Sequence, residues 1–119
     1  MSRLRILVVE DEGLVAMMLE DLLDDLGCEV AYSASTVSQA LAWLEGGGAP
    51  DAALLDINLG AEPVFPVAEE LSRRGVPFAF STGYGGAPDP RFRDAPLLGK
   101  PIRLERLTAV LRGFGQERP

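Results

Sequence analysis

Four short stretches of this 119-residue chain carry side chains able to do chemistry together: Glu10-Asp11, Asp56, Ser81-Thr82 and Lys100-Pro101. Asp56 sits within an otherwise apolar run, Asp51-Ala-Ala-Leu-Leu-Asp56-Ile-Asn-Leu-Gly60. A charge among such residues is costly to desolvate unless it pairs with a cation or lies at the mouth of a site. A carboxylate presented in that way can act as a nucleophile and form an acyl phosphate. Glu10, Asp11 and Asp56 crowded together would repel one another, so the three make electrostatic sense around a cation. Mg2+ is the natural one, a hard ion that takes carboxylate, water and phosphate oxygens in an octahedron. Lys100 adds a fixed positive charge and Thr82 a hydroxyl, the parts that stabilise charge on a transferring phosphoryl group.

These groups need elements to position them. Arg5-Ile-Leu-Val-Val9 is a β-branched apolar run that stops at Glu10-Asp11-Glu12, as expected of a strand buried on both faces. Val15, Met18, Leu19, Leu22 and Leu26 then recur at helical spacing, and Gly27 supplies a stop, so the spacing predicts a helix from Glu12 to Leu26. Leu14 and Met17 widen its apolar arc and are expected to be buried with it. Cys28 to Ser33 alternates as a strand, with Cys28 as ordinary packing. Val37, Ala40, Leu41 and Leu44 mark a second helix, on which Trp43 is expected to be half-buried. The Glu45-Gly-Gly-Gly-Ala-Pro50 segment follows a helix and carries no lysine, so it is a connection and not a phosphate loop.

After the Asp56 strand, Asn58 to Pro63 reads as a loop, and Val64, Val67, Ala68 and Leu71 space out a third helix ending near Arg74-Gly75. Val76-Pro-Phe-Ala-Phe-Ser81 is a fourth strand. Gly85, Gly86, Pro88 and Pro90 should prevent a long helix between Tyr84 and Asp94, and Arg91 and Arg93 there read as solvated. Ala95 to Gly99 makes a short fifth strand. Leu104, Leu107, Leu111 and Phe114 lie on a last helix that Gly113 and Gly115 should end. Five strand-helix alternations with continuously apolar strands imply an α/β doubly wound parallel sheet, in which functional groups gather at the carboxyl ends of the strands.

Composition narrows the chemistry. The chain has no histidine and one cysteine, which excludes Ser-His-Asp and Cys-His nucleophilic systems and a thiolate-imidazole zinc site. A net charge of −7 argues against binding a phosphate backbone, so no direct nucleic-acid partner is expected. No run of about 18 apolar residues is present to span a bilayer and no signal-peptide core follows Met1, so a soluble, cytoplasmic protein with no membrane partner is expected. The length fits a single domain over residues 1–119.

Glu10-Asp11, Asp56, Thr82 and Lys100-Pro101, in that order on a fivefold βα alternation, resemble the receiver domain of two-component response regulators. Asp56-Ile-Asn-Leu-Gly and Pro77-Phe-Ala-Phe-Ser-Thr-Gly-Tyr-Gly85 are similar to the stand-alone receivers whose fourth strand reads Phe-Ala-Thr-Gly-Tyr, with Ser81 in place of that alanine. The resemblance implies a flavodoxin-like (βα)5 receiver fold with no output domain and with an irregular or shortened fourth helix. It implies that Asp56 accepts a phosphoryl group from a phosphohistidine on a sensor histidine kinase or phosphotransfer protein, changing a surface read by a downstream protein target. Asp11 and Asp56 would ligate Mg2+ directly, Glu10 through water, and Asn58 through its backbone carbonyl. Thr82 would hydrogen-bond the phosphoryl oxygen, Lys100 would pair with the phosphoryl group, and the Lys100-Pro101 peptide would be cis.

Receivers generally carry an aromatic residue three positions before the lysine, where this chain has Leu97; Tyr84 is a candidate for that switching role or an ordinary loop aromatic. Two rivals stand beside the receiver. An aspartyl-phosphate hydrolase of the haloacid dehalogenase type would need a second aspartate at position 58. A degenerate receiver acting as a protein-binding scaffold would not need the intact acids, Thr82 and Lys100.

Overall fold

The computed structural model describes residues 3–59, 62–83 and 89–117. Its strands and helices alternate as β1 (Arg5–Val9), α1 (Gly13–Asp25), β2 (Glu29–Ala34), α2 (Val37–Glu45), β3 (Ala52–Asp56), β4 (Asn58–Leu59), β5 (Glu62–Pro63), α3 (Phe65–Arg73), β6 (Phe78–Thr82), β7 (Leu97–Gly99) and α4 (Leu104–Glu117). Five strands form one parallel sheet in the order β2-β1-β3-β6-β7. Strand alternation sends successive side chains to opposite faces. Leu7, Val9, Ala53, Leu55, Phe78 and Phe80 therefore pack under α2 and α3, whereas Ile6, Val8, Ala52, Leu54, Ala79 and Leu98 pack under α1 and α4.

Local chemistry sets the helix ends. Thr36 caps α2 by accepting the Gln39 N–H at 3.0 Å, and the Gln39 side chain reaches back to accept the Ser35 N–H at 2.8 Å. Pro66 opens α3, where its missing N–H costs nothing. Gly27 (φ +80°) and Gly75 (φ +71°) turn the chain out of α1 and α3 in the left-handed region, where a side chain would be strained.

Several expectations are corrected. Leu14, Met17 and Met18 are 78%, 61% and 59% exposed, because a 13-residue helix crossing the sheet meets it only along Ala16, Leu19 and Leu23. The stretch expected to be a loop from Asn58 to Pro63 holds a small antiparallel pair, Asn58–Leu59 against Glu62–Pro63, fixed by burial of Leu59 and Val64. The last helix runs through Gly113 and Gly115 to Glu117, since the buried face of Leu107, Leu111 and Phe114 outweighs the roughly 1 kcal/mol that each glycine costs a helix. Arg91 is exposed, as expected, and in addition pairs with Glu69 on α3 and with Asp89 at 3.0 Å, and lies 5.2 Å from the centre of the Phe92 ring.

Between β6 and β7 the described residues hold a single short 3-10 helix, Pro90–Phe92, in agreement with the proline and glycine pattern. Phe92 anchors it in a cluster with Phe65, Phe78 and Phe80, with ring centres 5.4 to 6.0 Å apart. Cys28 is buried beside Leu23 and Leu111, as ordinary packing, and burial pushes its thiol pKa up.

Trp43 is half-buried, stacked on Tyr32 with ring centres 5.3 Å apart and planes 6° from parallel. Gly48 lies against the same indole, where an added Cβ would fall 2.4 Å from the ring. Gly48→Ala should therefore push Trp43 off Tyr32 and destabilise the fold by about 1–3 kcal/mol. Urea unfolding followed by tryptophan fluorescence reads this directly, and an unchanged midpoint would show that the indole yields freely.

Candidate functional site

The carboxyl ends of the central strands bring the sequence-predicted residues together. Glu10 continues the β1 ladder, its N–H donating to the Ala34 carbonyl at 2.9 Å, and Lys100 continues that of β7, donating to the Thr82 carbonyl at 2.9 Å. Glu10, Asp56 and Thr82 are 3%, 1% and 6% exposed, whereas Asp11 faces solvent. Ligand oxygens from Glu10, Asp11 and Asp56 can lie within 4.8 Å of one another. Asn58 begins β4, two residues beyond Asp56. The Lys100-Pro101 peptide is cis, as expected. Tyr84 lies outside the described residues, and Leu97 is 37% exposed on the edge strand, its carbonyl accepting from Arg106 at 3.1 Å.

Lys100 organises the acids. Its Nζ lies 2.8 Å from Glu10 Oε1 and 3.1 Å from Asp56 Oδ2, and only 16% of its side chain is exposed. The other Glu10 oxygen accepts the Glu12 N–H at 3.1 Å. Burial raises the Glu10 pKa above its ordinary 4.5, against the lowering influence of Lys100 and the Glu12 N–H. Burial works against the charge on Lys100, but its hydrogen bonds to Glu10 and Asp56 outweigh that and raise its pKa. The sequence reading placed Lys100 opposite the acids without seeing that it bridges two of them. The available signal was composition: Lys100 is the only lysine in the chain, beside ten arginines. A compact ammonium on a flexible stem can turn its three donors toward two carboxylates at once.

Three oxygen-bearing acids converging on one point, with no sulfur or imidazole donor, are the donor set of a hard divalent cation. Mg2+ is an ion of that kind, and Asp56 is the most buried of the three acids. Pattern and geometry agree with the comparison to known families, in which the response regulator receiver domain matches residues 6–112. The chain belongs to the response regulator receiver domains.

As a receiver domain it is 47% identical to SdrG from Sphingomonas melonis Fr1, whose solution structure superposes with a TM-score of 0.84 over 96% of this chain and 98% of that one. The BeF3-activated conformation of SdrG from Pseudomonas melonis Fr1 matches at 49% identity and a TM-score of 0.75, over 94% of this receiver and 97% of that chain. The phyllosphere-induced regulator PhyR of Methylorubrum extorquens is 34% identical over 114 residues, covering 89% of this chain. The receiver spans 41% of that longer regulator. Asn58, where the hydrolase chemistry requires aspartate, agrees with the receiver assignment.

Removing the ammonium leaves two buried carboxylates facing each other. Lys100→Ala should cost about 3 kcal/mol of stability at pH 7. An acid with a raised folded-state pKa binds its proton more tightly in the folded protein, so its contribution favours folding below pH 4.5 and is lost as pH rises through the raised value. The deficit of Lys100→Ala should therefore shrink as pH falls and Glu10 protonates. Denaturant unfolding at pH 7 and at pH 4.5 measures it; an equal deficit at both would mean that Glu10 is not the source.

Proposed function

We propose that this receiver is a phosphoacceptor in two-component phosphorelay signalling, and that Asp56 takes a phosphoryl group from a phosphohistidine on a sensor histidine kinase or phosphotransfer protein. An Asp56 carboxylate oxygen attacks phosphorus, the P–N bond breaks, and the departing imidazole keeps its electron pair. Lys100 and Thr82 act as catalytic residues, the ammonium balancing charge on the phosphoryl oxygens and the hydroxyl donating to one of them. Asp11, Asp56 and the Asn58 carbonyl would hold Mg2+ directly and Glu10 through water. When bound, the ion draws negative charge from the phosphoryl oxygens. The domain would catalyse only its own aspartyl phosphorylation and dephosphorylation, and would act through a downstream protein target in the cytoplasm.

The observation that carries this reading is the ammonium of Lys100 between Glu10 and Asp56, 2.8 and 3.1 Å away, at the ends of three parallel strands. That constellation supports the reading of Asp56 as nucleophile and of Lys100 as the charge that balances a phosphoryl group. A BeF3-activated form of the similar SdrG supports a phosphoryl-like ligand at such a site. The described residues include no helix long and apolar enough to cross a membrane.

Incubation with acetyl phosphate and MgCl2 followed by intact mass measurement should show one added phosphoryl group. The adduct should be absent in Asp56→Asn and should fall by more than tenfold without Mg2+. Lack of any adduct at all Mg2+ concentrations would overturn the proposal.

A further inference from the structure

The fold treats its two kinds of sulfur oppositely. Cys28 is 5% exposed, packed among Leu23 and Leu111, and burial pushes its thiol pKa up. A thiol meets oxidants as the thiolate, so a buried cysteine that resists ionising is inert. Met17 and Met18 are 61% and 59% exposed on α1. A thioether has no proton to lose, and its oxidation requires only that the oxidant reach the sulfur.

The place of the pair gives that reaction a consequence. Leu14, Met17 and Met18 stand at i, i+3 and i+4, so they share one face of the helix. They are the three most exposed large apolar side chains among the described residues, with Leu14 at 78%. Met18 also lines a cavity of about 110 Å3 with Leu22, Pro101 and Ile102, whose wall includes Lys100 of the candidate site. The helix is held to the sheet by other residues, Ala16, Leu19 and Leu23, which are buried. Chemistry at Met17 and Met18 therefore alters the surface beside the site without opening the core.

We propose that Met17 and Met18 form an oxidation site, at which hypochlorous acid converts each thioether to the sulfoxide and turns the exposed apolar face of α1 polar. The sulfur lone pair attacks chlorine and hydroxide leaves. Water then adds to sulfur as chloride departs, and loss of protons gives the sulfoxide. Sulfur is oxidised by two electrons, and the oxidant is reduced to chloride. A sulfoxide is polar and chiral where the thioether was apolar, and reductases specific for each epimer reverse it. The site stands whether or not Asp56 accepts a phosphoryl group.

The test adds hypochlorous acid in substoichiometric portions to the folded domain and to the domain in concentrated urea. Digestion after acidic residues separates Gly13–Glu20, which holds both methionines, from Cys28. In the folded domain mass spectrometry should show the methionines oxidised at least about tenfold faster than Cys28, and in urea the difference should disappear. Equal consumption of Cys28 in the folded domain would overturn the proposal, as would methionines that react several times faster in urea than in the fold. The doubly oxidised domain should leave a phenyl column earlier than untreated protein, keep its urea midpoint, and regain its retention after treatment with both reductases. Unchanged retention would sink the change of surface, and a lowered midpoint would place the effect in the core and sink it as well. The volume-conserving double variant Met17→Leu, Met18→Leu should keep its retention through the same treatment; a loss of retention there would mean that another group is the target.

Discussion

The arrangement at the strand ends depends on a single ammonium. Two carboxylates, each at most 3% exposed, stand at the ends of adjacent strands, where like charges repel and burial is costly unless a cation lies between them. Lys100 supplies it from the edge strand, and in doing so ties the carboxyl ends of β1, β3 and β7 to one another. The tie is conditional in an instructive way. Glu10 and Asp56 also belong to the cluster that could hold a metal ion, so the ammonium and a metal would draw on the same carboxylates.

That ammonium can be delivered only because the sheet is regular. Parallel pairing with continuous register from β1 to β3, from β3 to β6 and from β6 to β7 stacks equivalent side chains into rows across the strands. Lower rows are apolar and make the core; fully burying one of their large side chains contributes roughly 1.5–3 kcal/mol. Asp56 and Ser81 share the topmost row with Leu98, and Lys100 lies two residues beyond it on the β7 side. Core and site are thus successive rungs of one ladder, and the apolar rungs set the spacing at which the acids and the lysine meet.

Much of this was legible in the sequence, for identifiable reasons. Continuous apolar runs such as Ile6 to Val9 and Ala52 to Leu55 announce strands buried on both faces, and the polar residue ending each run marks its carboxyl end. What the pattern could not reveal was how far each helix face is covered. Leu14 and Met17 belong to the same apolar arc as Leu19, yet the arc is wider than its contact with the sheet. Gly113 and Gly115 argued for a stop by local propensity, and tertiary packing of Phe114 overrode them. The small pairing of Asn58–Leu59 with Glu62–Pro63 is too short for any periodicity to register. The reach of Lys100 to Glu10 is a through-space fact between residues 90 apart in the chain, and only the assembled sheet discloses it.

The two sides of the sheet are not mechanically alike. Beneath α3, Phe65, Phe78, Phe80 and Phe92 meet edge-on or offset, each ring holding the tilt of its neighbours. Beneath α1 and α4 the filling is mostly leucine, valine, isoleucine and alanine, with Phe114 the lone ring. Interlocked rings transmit a small rotation almost whole, whereas aliphatic side chains absorb it by adjusting their rotamers. On that packing the α3 side of the sheet should be the stiffer one and the side under α1 and α4 the more compliant.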